Sequence, residues 1–207
     1  MFYPKAMNTI INYIQTNWIE IVGAILSLIY LYLSIQQKVS LWFFGIVSSM
    51  FYIVVFFQTK FYADMSLQFY YVVISIYGWI NWKHPKAGKT SELPTTQMSK
   101  QLWLYLTVAT AIIYFIYYFI LKNYTDSVIP KSDSLVGALS VVGTWMLARK
   151  LIENWLIWIA ADALCVGLYI YKELYPTAIL FVIYTVMAGV GYWQWKRTIQ
   201  CASVPIE

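Results

Sequence analysis

Seven stretches of this 207-residue chain, roughly 18–36, 40–58, 61–82, 101–121, 134–149, 154–171 and 175–195, are apolar over close to the length of a bilayer-crossing helix. About 20 residues of helix span the hydrocarbon core. Hydrophobic residues make up 61% of the chain and charged residues only 11%, against about 25% charged in a soluble domain. A soluble core of this size could not hide so much apolar surface. The expected class is an all-α polytopic membrane protein with seven transmembrane helices.

The fifth span is the weakest, being short and holding Gly137 and Gly143. Gln37–Val39 joins the first two spans and Lys172–Leu174 the last two. The longest polar stretch, residues 83–100, reads as an aqueous loop, and residues 1–17 as an N-terminal segment with an interfacial helix over 4–16. MFYPKAMNTI lacks an apolar run followed by a small-residue cleavage site, so no cleavable signal peptide is expected. Cys165 and Cys201 suggest neither a disulfide framework nor a metal site. With seven spans, nine basic residues (Lys38, Lys83, Lys86, Lys89, Lys100, Arg149, Lys150, Lys196 and Arg197) fall on the C-terminal side. Five (Lys5, Lys60, Lys122, Lys131 and Lys172) fall on the other. Lysine and arginine favour the cytoplasmic side, which predicts N-terminus outside and C-terminus inside. The net charge of +5 then reports topology, not nucleic-acid binding.

Residues 42–83 slide onto 155–196 without a gap, at an offset of 113, with nine identities in 42 positions. Trp42 meets Trp155, Tyr71 meets Tyr184, Gly78 meets Gly191, and Trp82-Lys83 meets Trp195-Lys196. One residue of slip later, Val22-Gly23-Ala24 meets Val136-Gly137-Ala138. The predicted plan is a first three-helix bundle (18–82), the polar loop (83–100), a linker helix (101–121), a second bundle (134–195) and a tail (196–207). One crossing between the bundles makes the repeats parallel, about a pseudo-twofold axis along the membrane normal. This 3+1+3 arrangement is similar to that of SWEET sugar transporters, and such folds place substrate near the midplane between the bundles.

On the sixth helix Trp155, Trp158 and Asp162 lie at i, i+3 and i+7, which puts them on one face. Asn154 starts that helix, where it could cap the start or face substrate. Gln68, Tyr71, Ser75, Trp79 and Trp82 follow 3–4 spacing on the third helix. Ser48, Ser49 and Tyr52 form a smaller polar patch on the second, and Tyr184, Ala188 and Gly191 a face of the seventh. Asp162 has no basic residue within nine positions, and an intramembrane carboxylate costs about 2.5–3.5 kcal/mol at a helix centre. Three roles compete for it: binding a cationic substrate, relaying protons, or hydrogen-bonding a neighbouring helix. The adjacent tryptophans favour the first, since aromatic faces attract cations by about 0.5–2 kcal/mol. Trp82, Trp193 and Trp195, near helix ends, are expected in the interfacial aromatic belt. The candidate substrate-binding set is Asp162, Trp155, Trp158, Asn154, Gln68, Tyr71, Trp79, Ser48 and Tyr184. The lone histidine, His84, lies in a loop, and no phosphate-binding glycine loop occurs. No enzyme, no cofactor, no metal and no nucleic-acid partner is expected.

The stretches IENWLIW (152–158), FFGIVSS (43–49), FFQTKFYADMSLQ (56–68) and IYGWINW (76–82) resemble the Pnu family of bacterial vitamin transporters, over about residues 17–197. The resemblance implies a multi-pass protein of the bacterial inner membrane and a homotrimer. It also implies facilitated diffusion of an unphosphorylated vitamin that a cytoplasmic kinase then traps. The nicotinamide riboside branch carries asparagine where this chain has Ser48 and Asp162. A carboxylate suits the aminopyrimidine and thiazolium of thiamine, so the chain looks closest to the thiamine branch, PnuT. Nicotinamide riboside is the alternative substrate. A proton-coupled carrier using Asp162, a sugar carrier, and a non-transporting scaffold are further readings.

Overall fold

The computed structural model describes residues 18–58, 62–83 and 93–202, and these form seven helices. They are α1 (Trp18–Ile35), α2 (Leu41–Gln58), α3 (Tyr62–Lys83), α4 (Lys100–Tyr124), α5 (Pro130–Ala148), α6 (Asn154–Tyr171) and α7 (Tyr175–Ala202). The interfacial helix expected over 4–16 and His84 lie outside the described residues. Helices α4, α6 and α7 are each long and apolar enough to cross a bilayer, and α1 and α2 carry shorter apolar windows. Phe43, Phe57, Val73, Ile80, Phe115 and Ile179 stay exposed, as a surface solvated by lipid requires.

Three helices differ from the sequence expectation by more than one residue at an end, each for a local reason. The fifth span is not short: α5 starts at Pro130, four residues before the expected 134. Proline at the first helical position has its φ pre-set and lacks an N–H that would otherwise be orphaned. Asp133 in that first turn complements the positive end of the helix dipole. Helix α4 begins on Ser99, whose side chain accepts from the Leu102 N–H, and runs three residues past 121. Helix α7 runs to Ala202; 28 residues make about 42 Å at 1.5 Å each, more than the hydrocarbon core needs. Near its end Arg197 stacks on Trp193 at 3.5 Å and Lys196 on Tyr192 at 5.9 Å, an arrangement suited to the bilayer surface.

Two halves with matching packing emerge. Helix α2 packs on α1 and α3, and α6 packs on α5 and α7; the halves meet where α1 touches α7 and α5 touches α3. Helix α4 packs on α5 and has no buried residue. The indole of Trp42 lies over Gly78, where an added Cβ would be 2.4 Å from Cζ2. Trp155 lies over Gly191 in the same way, at 2.6 Å. Trp42 meets Trp82 edge-on at 5.5 Å and 88°, and Trp155 meets Trp195 at 5.5 Å and 88°. Trp82 and Trp195 then meet each other at 6.2 Å. All four are at most 1% exposed, which overturns the expectation that Trp82 and Trp195 sit in the interfacial belt; Trp193 is exposed.

The same end of the molecule carries matching turns. Gln37 and Lys150, 113 positions apart, both adopt positive φ (55° and 50°). Each closes its helix with an N–H to the carbonyl three residues back, while the next residue reaches five back, the Schellman pattern. Across the halves, the Asn81 amide donates to the Ala148 carbonyl (2.9 Å) and Trp195 Nε1 to those of Ser34 and Ile35. Residues 93–99 lie over these turns. Thr96 forms a parallel bridge with Leu151, and the Met98 N–H donates to Glu153 Oε1 at 3.0 Å. Thr95 Oγ1 donates to Gln37 Oε1 at 3.2 Å. The stretch read as an aqueous loop thus ends in an ordered strap.

Gly78→Ala is expected to lower stability by about 1–3 kcal/mol, since a methyl there overpacks a rigid indole. Gly189→Ala, with nothing within 4 Å, should stay within about 0.5 kcal/mol. Thermal unfolding in detergent reads both; equal melting temperatures would show that the Trp–Gly contact carries no stability.

Candidate functional site

The tryptophan cluster closes the end where α1, α3, α5 and α7 finish. At the opposite end lies a wide vestibule of about 1020 Å³, lined by residues from α2 through α7. Its outer rim holds Asp126, Asp133 and Lys172. Ser127 Oγ donates to Asp133 Oδ2 at 2.6 Å, and Lys172 Nζ lies 3.7 Å from Oδ1. Two carboxylates against one ammonium leave the rim with a net charge of −1.

Tyr52, Gln68 and Tyr71 line both this vestibule and a deeper cavity of about 250 Å³, so they form the neck between the two. The deep cavity is built mostly by α1, α2 and α3; α5 contributes Thr144 and α6 contributes Trp158. Its hydroxyl and amide groups come from Ser27, Ser48, Ser49, Gln68, Ser75 and Thr144, and its aromatic surface includes Tyr30, Tyr71 and Trp158. No charged residue lines it. Among the described residues Gln68 makes no hydrogen bond, so its amide is available to a ligand. The arrangement can stack a flat ring and hydrogen-bond a polyhydroxylated group.

Four of the sequence candidates therefore come together: Trp158, Gln68, Tyr71 and Ser48. Five lie elsewhere. Trp155 is buried under Gly191 in the tryptophan cluster. Asn154 is fully buried beside it, its Nδ2 donating to the Leu151 carbonyl at 2.6 Å, so its side chain neither faces the cavity nor accepts as a cap would. Trp79 packs edge-on against Phe43 at 6.4 Å. The hydroxyl of Tyr184 is hydrogen-bonded to that of Ser27, tying α7 to α1 behind the cavity wall. Asp162 is buried, 8% exposed, and does not line the deep cavity. Among the described residues no hydrogen bond or ion pair reaches its carboxylate. The i, i+3, i+7 spacing put Trp155 and Asp162 beside Trp158 on a face about 60° wide, and neighbouring helices divide that face among different surroundings.

Ser27, Tyr30, Gly45 and Thr144 line the cavity without having been singled out. Ser27 and Tyr30 carried a signal, a three-residue spacing on α1. Gly45 and Thr144 carried none, because their role depends on the bundle opposite.

A bundle of membrane-crossing helices around a deep polar-aromatic cavity, closed at one end and open at the other, has the form of a multi-pass membrane transporter. The chain belongs to the Nicotinamide mononucleotide transporter family, whose pattern matches residues 17–197. It is 27% identical over 203 residues to the nicotinamide riboside transporter PnuC of Escherichia coli (strain K12), covering 86% of this chain and 85% of that one. It is 24% identical to the nicotinamide riboside transporter PnuC of Neisseria mucosa, covering 89% and 74%. The crystal structure of the vitamin B3 transporter PnuC superposes with a TM-score of 0.73 at 20% identity, over 96% of this chain and 89% of that one.

Asp162→Asn is expected to melt at or above the wild-type temperature, because it replaces a buried carboxyl that has no partner among the described residues with a group that carries no charge to desolvate. A melting temperature several degrees lower would assign Asp162 to helix–helix hydrogen bonding.

Proposed function

We propose that this protein carries nicotinamide riboside across the bacterial inner membrane by facilitated diffusion. The observation that supports it most is the uncharged deep cavity, with Trp158 and tyrosines beside hydroxyls and the free Gln68 amide. A pyridinium ring suits the aromatic faces, since cation–π attraction strengthens where water is excluded. Its carboxamide suits Gln68, and ribose hydroxyls suit the serines and Thr144. The cavity is smaller than the about 300–1000 Å³ of drug-sized sites, which suits a single nucleoside. A mononucleotide fits less well: no Lys or Arg lines the deep cavity, and the rim's one ammonium is paired with Asp133.

Nicotinamide riboside replaces thiamine as the favoured substrate. The relatives are named for nicotinamide riboside. Thiamine would be favoured if Asp162 touched the ligand, and Asp162 sits outside the cavity lining. Nine basic residues on the C-terminal side support an N-out, C-in orientation, so the vestibule faces outward. A homotrimer, and a cytoplasmic kinase that traps the vitamin as its phosphate, complete the reading.

Titrating purified protein with nicotinamide riboside, thiamine, riboflavin and nicotinamide mononucleotide tests the substrate. Nicotinamide riboside should bind tightest, and Trp158→Ala should weaken it about 10-fold or more, about 1.4 kcal/mol. Tighter binding of thiamine would restore the thiamine reading. In liposomes, uptake should equilibrate without accumulation and survive collapse of the proton gradient; dependence on the gradient would make Asp162 a proton relay.

A further inference from the structure

The deep cavity belongs almost wholly to one half of a repeated scaffold, and one size exchange accounts for that. Gly45 of α2 and Trp158 of α6 are 113 positions apart, so they occupy the same place in the two repeats. Both line the same cavity. In the second half the large residue sits on α6: Trp158 lies over Gly143 of α5, where an added Cβ would be 3.4 Å from Cε2. In the first half the sizes are reversed. Gly45 is the small partner, and Tyr30 of α1 lies 3.3 Å from where its Cβ would be. The indole of Trp158 thus fills space on its own side and forms a wall of the cavity. The corresponding volume on the first side is left open beside Tyr30.

We propose that Gly45 is a specificity-determining residue: its missing side chain admits the ligand's ring, which takes on the first half the place that the Trp158 indole takes on the second. The ligand class follows as a single flat ring bearing a hydroxylated substituent, since the neighbouring groups are Ser48, Ser49 and Ser75. Fused bicyclic or tricyclic rings are excluded. This rests on the transport reading above. A methyl at Gly45 would lie 2.9 Å from Ser75 Oγ, so the variants are made in a Ser75→Ala background that removes this contact. Gly45→Ala should weaken nicotinamide riboside binding at least 10-fold relative to Ser75→Ala alone, and Gly45→Val should abolish it, with melting temperatures kept. Gly167→Ala, with nothing within 4 Å, serves as the silent control. Folded Gly45 variants with affinity within twofold of the background would overturn the inference while leaving the transport reading intact. A wild type that binds no vitamin would sink that reading itself.

A second observation stands apart from the substrate. The strap 93–99 touches the matching turns of both halves at the closed end: Thr95 holds Gln37, while Thr96 bonds the backbone at Lys150 and Ile152 (3.1 and 3.0 Å). We infer that it is a latch that must leave one turn before the halves separate at this end. Thr96→Pro removes the N–H given to Lys150, and Glu153→Ala removes the acceptor for Met98. With Cys165 and Cys201 replaced by serine, a reporter Ser34→Cys, 2% exposed in its native form, should react at least 10-fold faster with an impermeant thiol reagent added on the strap side in Thr96→Pro. Glu153→Ala should show a smaller rise. Labelling as slow as with the strap intact, in either folded variant, would overturn the latch.

Discussion

The contact of tryptophan on glycine is the constraint from which the rest of the molecule follows. A bilayer gives helices little hydrophobic reason to associate, so their packing depends on close backbone approach and shape. Gly78 and Gly191 allow α2 and α6 to lay a whole indole against α3 and α7. Each indole is then met edge-on by Trp82 or Trp195, the geometry aromatic pairs prefer. The two pairs touch through Trp82 and Trp195, so one continuous aromatic plug closes one end of the molecule. The vestibule lies at the other end.

Helix number and order were legible in the sequence because apolar length is a direct signal. The repeat was legible because the same contacts must be made twice: Trp42, Gly78 and Trp82 are matched by Trp155, Gly191 and Trp195. The site was only half legible. Gln68, Tyr71 and Ser48 stand out as polar or aromatic interruptions on apolar helices, and they do line the cavity. Trp155 had the same spacing credentials as Trp158 and a different fate. Periodicity identifies a face, but not which helix covers it, and Gly191 of α7 covers Trp155. Gly45 is the opposite case, a residue whose role is the space it leaves. No single-helix pattern signals that.

Asp162 illustrates how burial and function separate. Its repeat counterpart is Ser49, which lines the cavity, while Asp162 does not. A buried carboxyl on an apolar helix is therefore not by itself a ligand contact, because burial depends on which neighbouring helix covers it.

The scaffold is duplicated and the cavity is not, and the two facts answer different physical demands. Alternating access needs two bodies that pivot about a common interface, which a repeat supplies through equivalent contacts, α1 on α7 and α5 on α3. Recognition of a small asymmetric ligand needs unlike walls. The chain meets both demands by keeping the tryptophan plug in duplicate and letting the layer above it diverge. There Gly45 faces Trp158, Ser48 corresponds to Ala161, Ser49 to Asp162 and Ser75 to Ala188. Most hydroxyls are thereby concentrated on the first half, beside Tyr30 and Tyr71, and the second half adds the Trp158 indole. Unlike walls of this kind suit a ligand that is itself unlike at its two ends.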